Sequence, residues 1–204
     1  MDIQELRREA QTMQPQLTAD RRRLHRNPEA GAVLPETVAY VKKRLTEMGY
    51  HPQELGGGLT ATVTGTDTGR CILLRADMDA LRGQEQSGLP FQSENGCMHA
   101  CGHDMHTAML LGLAKTVAAR HGTLRYNVLL VFQPAEETTG GAKDICETGI
   151  LEKHNVERVF GLHMWPFADA GCIESRPGAL MPRSSEITVE ITGKSTHATA
   201  PENG

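Results

Sequence analysis

The sequence predicts an α/β fold: a layered domain with a central, mostly parallel sheet flanked by helices. Two observations lead to this prediction. Short apolar, β-branched segments alternate with segments of helical periodicity in the order strand, helix, strand, helix, strand. The segments between these strands are long enough to hold a crossover helix, which a parallel pair of strands requires. With 204 residues the chain can form one sizeable core and part of a second domain.

Two helices are predicted before the first strand. Residues 2–26 are rich in Arg, Glu, Gln and Leu, and this segment ends at Asn27-Pro28. Residues 36–48 carry apolar side chains at helical spacing and are followed by Gly49, a residue that commonly terminates helices. The sequence therefore predicts two consecutive helices ahead of the sheet.

Four strands and two further helices are predicted along the next part of the chain. Apolar and β-branched residues predict strands over 59–64, 72–76, 127–133 and 158–163. Helical periodicity predicts helices over 104–120 and 142–148. Residues 82–98 contain scattered Gly, Pro, Ser and Asn, and a connection of this length suggests a functional loop.

The last part of the sequence has a different pattern. Residues 176–185 include two prolines and a glycine and are interpreted as a hinge between domains. From Glu186 onward apolar and polar residues alternate, which predicts a strand with one polar face. We expect a catalytic metal-binding domain over residues 1–182 and the start of an α+β lid and dimerisation domain over residues 183–204. The sequence is then a piece of a longer chain.

Composition and charge exclude several classes of function. A net charge of −4 argues against a nucleic-acid partner, and the longest basic run, Arg21-Arg22-Arg23, is expected on a solvated helix face. The apolar runs are too short to span a bilayer, and the N-terminus lacks the apolar segment of a secretory signal. Five cysteines, an odd number, favour reduced thiols. We therefore expect a cytoplasmic protein without membrane partners.

The segment His99–His106 has an unusual density of metal-binding groups, with three histidines, a cysteine and an aspartate in eight residues. Cys101 and His103 flank a glycine, and a turn there would let both bind one ion, which a regular helix would not. The positive end of the following helix favours a thiolate, and thiolate beside imidazole suits zinc and similar divalent ions. A buried free cysteine with solvated histidines is the alternative. The two terminal histidines of the segment are expected to support or pack rather than to bind an ion.

Further acidic and histidine side chains follow the predicted strands at their carboxyl ends. Asp77 and Asp79, Glu136 and Glu137, and His163 each come at or just after the end of a strand. Ligands of open α/β sheets bind at this edge, so we expect these side chains to converge. The two aspartates can bind a metal or can accept hydrogen bonds that orient histidine ligands, and we favour the second role.

The adjacent pair Glu136-Glu137 suggests a division of roles. Neighbouring side chains in a strand or loop are expected to point to opposite sides. One carboxylate could then bind a metal while the other accepts a proton from a metal-activated water. An exposed acidic loop is the alternative for this pair, and a satisfied core histidine is the alternative for His163.

Four segments together resemble the successive signatures of a known family. They are Leu74–Leu81, Met98–Asp104, Phe132–Glu137 and Gly161–His163. In order and spacing they are similar to the metal-dependent amidohydrolases of the aminoacylase and carboxypeptidase superfamily, in the branch of hippurate hydrolases and plant auxin–amino-acid conjugate hydrolases. The resemblance runs from about residue 23 to the last residue. It implies a two-metal site in an α/β domain and an inserted lid that usually forms a homodimer.

The resemblance also implies roles for individual residues. It implies two divalent ions, Zn, Mn, Co or Ni, held by Cys101, His103, Glu137 and His163, with the thiolate able to bridge. Glu136 corresponds to the general base that activates water and passes the proton to the departing amine. His197 corresponds to a lid histidine that reaches substrate in a partner's active site. A further ligand histidine of the family lies beyond the last residue given.

The predicted function is hydrolysis of the amide bond of N-acyl amino acids or similar small conjugates. A dipeptidase- or carboxypeptidase-type metallopeptidase uses the same machinery and is the first alternative. A catalytically inactive metal-binding fragment is the second. A structural zinc module fits poorly, because Cys101 has no second cysteine at zinc-knuckle spacing.

Overall fold

The chain forms two compact units in a computed structural model that describes residues 2–138, 140–181 and 187–204. The first unit extends to Met164 and the second comprises Trp165–Gly204. All α-helices and strands of the described residues lie in the first unit, while the second has one 3-10 turn at Pro201–Asn203. The domain boundary predicted between residues 182 and 183 lies outside the described residues and stays a prediction.

The described part of the first unit has five helices and seven strands. The helices are α1 (Ile3–Arg26), α2 (Pro35–Glu47), α3 (His103–Ala118), α4 (Gly141–Glu147) and α5 (Ile150–Lys153). The strands are β1 (Gln53–Leu55), β2 (Gly58–Val63), β3 (Asp67–Asp77), β4 (Leu81–Arg82), β5 (Cys97–Met98), β6 (Tyr126–Gln133) and β7 (Val156–Gly161). None of the helices among these described residues is both long and apolar enough to span a membrane.

A five-stranded sheet in the order β1-β2-β6-β3-β7 is the centre of the unit. β3 pairs in parallel with β6 on one side and with β7 on the other. These three strands therefore end at the same edge, and the predicted site residues follow them there. β1 and β2 extend the sheet in antiparallel pairing, and β4 pairs with β5 at the two ends of the long 82–98 connection. The predicted α/β class with a mostly parallel sheet is confirmed, and the structure adds an antiparallel pair, β1 and β2, at one edge of the sheet.

Both faces of the sheet are covered, which gives three layers. β6 shows this most clearly, because Leu130 and Phe132 point to one core and Leu129 and Val131 point to the other. All four side chains are buried, as expected for a strand covered on both faces. Helices α2 and α3 contribute to the first core, and α4 and α5 to the second. Each large apolar side chain buried in this way contributes about 1.5–3 kcal/mol.

Several element predictions differ from the structure in informative ways. The strand predicted over 158–163 spans Val156–Gly161, so His163 lies two residues past its end. The strand predicted over 72–76 extends back to Asp67, and the short helix α5 was not predicted. The predicted strand near the end of the chain is wrong over 187–192, since these residues have no regular structure. Its apolar side chains are exposed there, and no described strand pairs with them. Glu186 lies outside the described residues.

Candidate metal centre

The loop that enters α3 places the first group of candidate ligands. Gly102 has a φ of 92°, a left-handed conformation that glycine adopts without strain, and α3 begins at the next residue. The predicted turn between Cys101 and His103 is therefore present. His103 is the first residue of the helix, one residue earlier than predicted, and its side chain is almost fully buried.

Two histidines are held so that the same ring nitrogen faces the site. His103 Nδ1 donates to the backbone carbonyl of Asp79 at 2.8 Å, and His163 Nδ1 donates to the carbonyl of Met164 at 2.7 Å. A carbonyl oxygen can only accept, so both rings carry their proton on Nδ1 and have a lone pair on Nε2. His103 Nε2 is buried and has no hydrogen-bond partner among the described residues. Metal-binding histidines have this arrangement, with one nitrogen fixed by an acceptor and the other available.

Cys101 lies beside these rings, with its Sγ atom 3.4 Å from His163 Nε2. Burial, together with the nearby carboxylates of Glu137 and Glu136, raises the pKa of the Cys101 thiol to about 12. In the protein without metal, burial and these carboxylates therefore favour the neutral thiol over the thiolate. A bound divalent cation reverses this balance, since a coordinating thiol loses its proton.

Glu136 and Glu137 turn towards the same point, contrary to the expectation that they diverge. Glu136 Oε2 and Glu137 Oε1 each lie 3.7 Å from His103 Nε2. The cause is a tight turn in which Ala135 has a φ of 54°. The Asp79 carboxylate holds this turn, because its two oxygens accept the backbone N–H groups of Glu136 at 2.9 Å and Glu137 at 3.0 Å.

Asp77 and His106 form a second buried layer behind the candidate ligands. His106 Nδ1 donates to Asp77 Oδ1 at 2.6 Å, and His106 Nε2 accepts the Met164 N–H at 2.8 Å. Both nitrogens of His106 are therefore occupied, which leaves it no lone pair for an ion. The other Asp77 oxygen accepts from Arg75 at 2.7 Å. Burial opposes ionisation of Asp77, but the hydrogen bond from His106 and the charge of Arg75 lower its pKa to about 2.

The residues at this edge fit a divalent metal. Three groups of side chains bring their donor atoms within 4.8 Å of one another, and His103 belongs to all three. One group adds Cys101 and His163, and another adds Glu136 and Glu137. Glu137 Oε1 is buried without a hydrogen-bond partner in the described chain, as is His103 Nε2. Buried lone pairs without donors are costly unless a cation satisfies them, and thiolate, imidazole and carboxylate together suit borderline divalent ions.

The structure thus brings together every predicted residue of the first unit. His103 forms one group with Cys101 and His163 and another with Glu136 and Glu137, while the carboxylates of Asp77 and Asp79 hold neighbouring groups in place. His197 belongs to the second unit, where its Nδ1 lies 2.8 Å from Thr199 Oγ1.

His106 has the supporting role that was expected of it, while His25 has a role that the sequence did not indicate. His106 orders the Asp77 layer, and its position three residues after His103 on a helix was the available signal. His25, to which no role was given, lies in a buried network with Asp104, and nothing in the sequence connects residues 79 positions apart.

A comparison with models of protein families shows which family the chain belongs to. Residues 73–203 match the family model described as peptidase family M20/M25/M40. The chain belongs to this family. This confirms the predicted resemblance. The matched range begins within β3 and includes all four motifs.

Two curated relatives are named as a deacetylase and a hydrolase. The chain is 42% identical over 196 residues to an N-acetyl-L-cysteine deacetylase of Bacillus subtilis, covering 95% of this chain and 47% of the relative. It is 43% identical over 187 residues to an IAA-amino acid hydrolase of Arabidopsis thaliana, covering 90% and 42% respectively. The chain therefore spans about half the length of the curated relatives it matches.

A solved structure shows the same fold with a metal-binding description. It is a Bacillus subtilis protein described as a dinuclear metal binding peptidase from the M20 family. It superposes with a TM-score of 0.72 at 38% identity, over 77% of this chain and 45% of that one. The mixed α/β architecture and the metal-binding character of the family agree with the site geometry.

Proposed function

We propose that the full-length protein hydrolyses the amide bond of N-acyl amino acids or similar small conjugates, using two divalent metal ions. The observation that supports this most is that His103 belongs to two adjoining groups of possible ligands, one with Cys101 and His163 and one with Glu136 and Glu137. Cys101, His103, Glu137 and His163 would hold the ions. The identity of the metal is open among Zn, Mn, Co and Ni.

The two glutamates differ in exposure, and this supports different roles. The Glu137 side chain is 19% exposed and its Oε1 is buried without a donor, so it suits a ligand. The Glu136 side chain is 39% exposed, which leaves its carboxylate accessible to water and substrate. When bound, the ions polarise the amide carbonyl and acidify water. Glu136 then accepts a proton from the attacking water and delivers it to the nitrogen of the departing amine.

Asp77, Asp79 and His106 hold the reacting groups in position and do not take part in the reaction themselves. Asp79 fixes the turn that carries Glu136, and its carbonyl fixes the tautomer of His103. Asp77 orients His106, which in turn accepts the N–H of Met164 next to His163. Holding the reacting groups in place before substrate arrives is a large part of enzymatic rate enhancement.

The substrate proposal follows the named relatives. One is a deacetylase of N-acetyl-L-cysteine and another is a hydrolase of IAA–amino acid conjugates, and both names describe an acyl group on an amino acid. A dipeptidase- or carboxypeptidase-type activity is the second candidate, because the solved M20 structure is described as a peptidase. We further propose a cytoplasmic homodimer formed through the lid domain, in which His197 contacts substrate.

The experiment compares Glu136→Gln with Glu137→Gln in the full-length protein. Turnover is measured on N-acetyl, N-benzoyl and dipeptide substrates, and bound metal is measured by elemental analysis. We expect Glu136→Gln to abolish turnover with metal content unchanged, and Glu137→Gln to reduce metal content as well. Glu152→Gln on the exposed part of α5 is the matched control and should change neither.

Each outcome separates the candidates. Preference for N-acyl amino acids supports the proposal, and preference for dipeptides supports the metallopeptidase. Retained turnover in Glu136→Gln would refute the role of this residue as general base. Metal binding without turnover on any substrate would identify an inactive metal-binding protein.

A further inference from the structure

A buried charged network lies next to the candidate metal centre and is not explained by the proposed chemistry. It joins three parts of the chain: the end of α1, the long 82–98 loop and the first turn of α3. Its members are Arg21, His25, Glu85 and Asp104. The Asp104 side chain is 0% exposed, so its charge must be compensated within the protein.

His25 is the centre of this network because it contacts a carboxylate with each ring nitrogen. His25 Nδ1 lies 2.8 Å from Asp104 Oδ2, and His25 Nε2 lies 3.0 Å from Glu85 Oε1. Arg21, one helical turn earlier, contacts the same Asp104 oxygen at 2.7 Å. The expectation that the arginine triplet lies on a solvated face is therefore wrong for Arg21, which faces a buried carboxylate.

Glu85 organises the long loop around itself. Its Oε1 accepts the Ser87 hydroxyl at 2.5 Å, and its Oε2 accepts the Ser93 N–H at 2.8 Å. Phe91 of the same loop packs edge-on against the His25 ring, with centroids 5.4 Å apart. The loop is thus held against α1 at His25 by both polar and aromatic contacts.

Asp104 connects this network to the candidate ligands. It follows His103 directly in the first turn of α3, so the position of its carboxylate and the position of the His103 ring are set by the same backbone. His103 is held on its other side by the Asp79 carbonyl. The first turn of α3 is therefore fixed from two directions, by Asp79 from the sheet and by His25 from α1.

We propose that His25 is a positioning residue, which holds Asp104 and thereby orients His103 at the metal centre while it anchors the 82–98 loop through Glu85. The proposal rests on the proposed function only in that His103 binds a metal ion. It predicts two separable effects, because the two ring nitrogens of His25 have different partners.

Two substitutions at His25 separate these effects. The amide nitrogen of Asn lies close to the place of Nδ1, so His25→Asn retains a donor to Asp104 and loses the donor to Glu85. The longer side chain in His25→Gln reaches the place of Nε2, so this variant retains the contact to Glu85 and loses the one to Asp104. Exposed His51, changed to Asn and to Gln, provides the matched controls.

Two measurements on the full-length protein test the proposal. Zinc affinity is measured by competition with a chromophoric chelator, and amide hydrogen exchange is measured across residues 82–98. We expect His25→Gln to weaken zinc binding by about 10–100-fold, the range for residues that orient metal ligands. Loop exchange should rise less in His25→Gln than in His25→Asn, because both variants lose the ring that packs against Phe91 and only His25→Asn also loses the contact to Glu85. We expect His25→Asn to retain zinc affinity within about threefold and to exchange faster in the loop.

The outcomes distinguish a positioning role from a general structural one. Equal losses in both variants would mean that His25 serves only overall folding, and unchanged zinc affinity in His25→Gln would also overturn the proposal. If either variant fails to fold, Arg21→Gln removes a second partner of Asp104, and it must weaken zinc binding. Loop exchange is not a readout for this variant, because the Arg21 guanidinium also lies over the Phe91 ring of the loop at 5.1 Å. Failure of the wild-type protein to bind any of zinc, manganese, cobalt and nickel refutes the proposed function instead.

Discussion

Acid should destabilise this protein through His99, and the size of the effect follows from its burial. His99 is only 7% exposed, and neither of its ring nitrogens has a hydrogen-bond partner among the described residues. Burial, assisted by the charges of His103 and His25, lowers the pKa of His99 from 6.5 to about 4. The folded protein therefore keeps this ring neutral where the unfolded chain already binds a proton.

The sign and magnitude follow from proton linkage. Between pH 6.5 and about pH 4 the unfolded state binds more protons at His99, so the free energy of unfolding falls as the pH falls. At about 1.4 kcal/mol per pKa unit, the total loss is roughly 3 kcal/mol, complete near pH 4. This is a large part of the stability of a typical domain.

Replacing His99 with leucine, an apolar side chain of similar size, removes this loss. Urea unfolding of the metal-free protein is measured at several values between about pH 7 and pH 4. We expect the wild type to lose roughly 3 kcal/mol more than His99→Leu over this range. His51→Leu, at an exposed histidine, is the control and should follow the wild type. Parallel curves for wild type and His99→Leu would refute the reasoning.

Three further predictions concern the core, the Glu136 turn and the metal. Phe132→Ala should lower the free energy of unfolding by about 3–5 kcal/mol in urea titrations, because Phe132 is fully buried. Gly141→Ala would place a methyl group 1.9 Å from the Pro134 carbonyl oxygen, so we expect a displaced Glu136 turn and weaker zinc binding by chelator competition. Burial alone would lower the pKa of His103, but the neighbouring carboxylates raise it above its ordinary value. Protons therefore compete with the metal for this ring, and we expect zinc affinity to fall as the pH falls. The same chelator competition at several pH values checks this.

The sequence was sufficient where local pattern and strand direction decide the structure. The turn at Gly102 was predictable from the glycine between two ligand-type residues. The convergence of Asp77, Glu136 and His163 was predictable because parallel strands end at one edge of a sheet.

The sequence was not sufficient where distant residues decide the local geometry. Glu136 and Glu137 face the same side because Asp79, almost 60 residues earlier, binds both of their N–H groups. The partnership of His25 with Asp104 likewise depends on how α1 packs near the start of α3. The alternating segment at 187–192 has the pattern of a strand, but a pattern forms a strand only where a partner is present to pair with it.

The way in which Asp79 holds the turn has a consequence for how this site can vary. Its carboxylate accepts hydrogen bonds from the peptide groups of residues 136 and 137, and not from their side chains. Any residue other than proline offers the same peptide groups, so the shape of the turn does not depend on which side chains it carries. Substitutions at these two positions can therefore change charge, basicity or metal preference on an unchanged backbone. Natural mutation or protein design can therefore change the side chains at positions 136 and 137 without changing the turn that carries them.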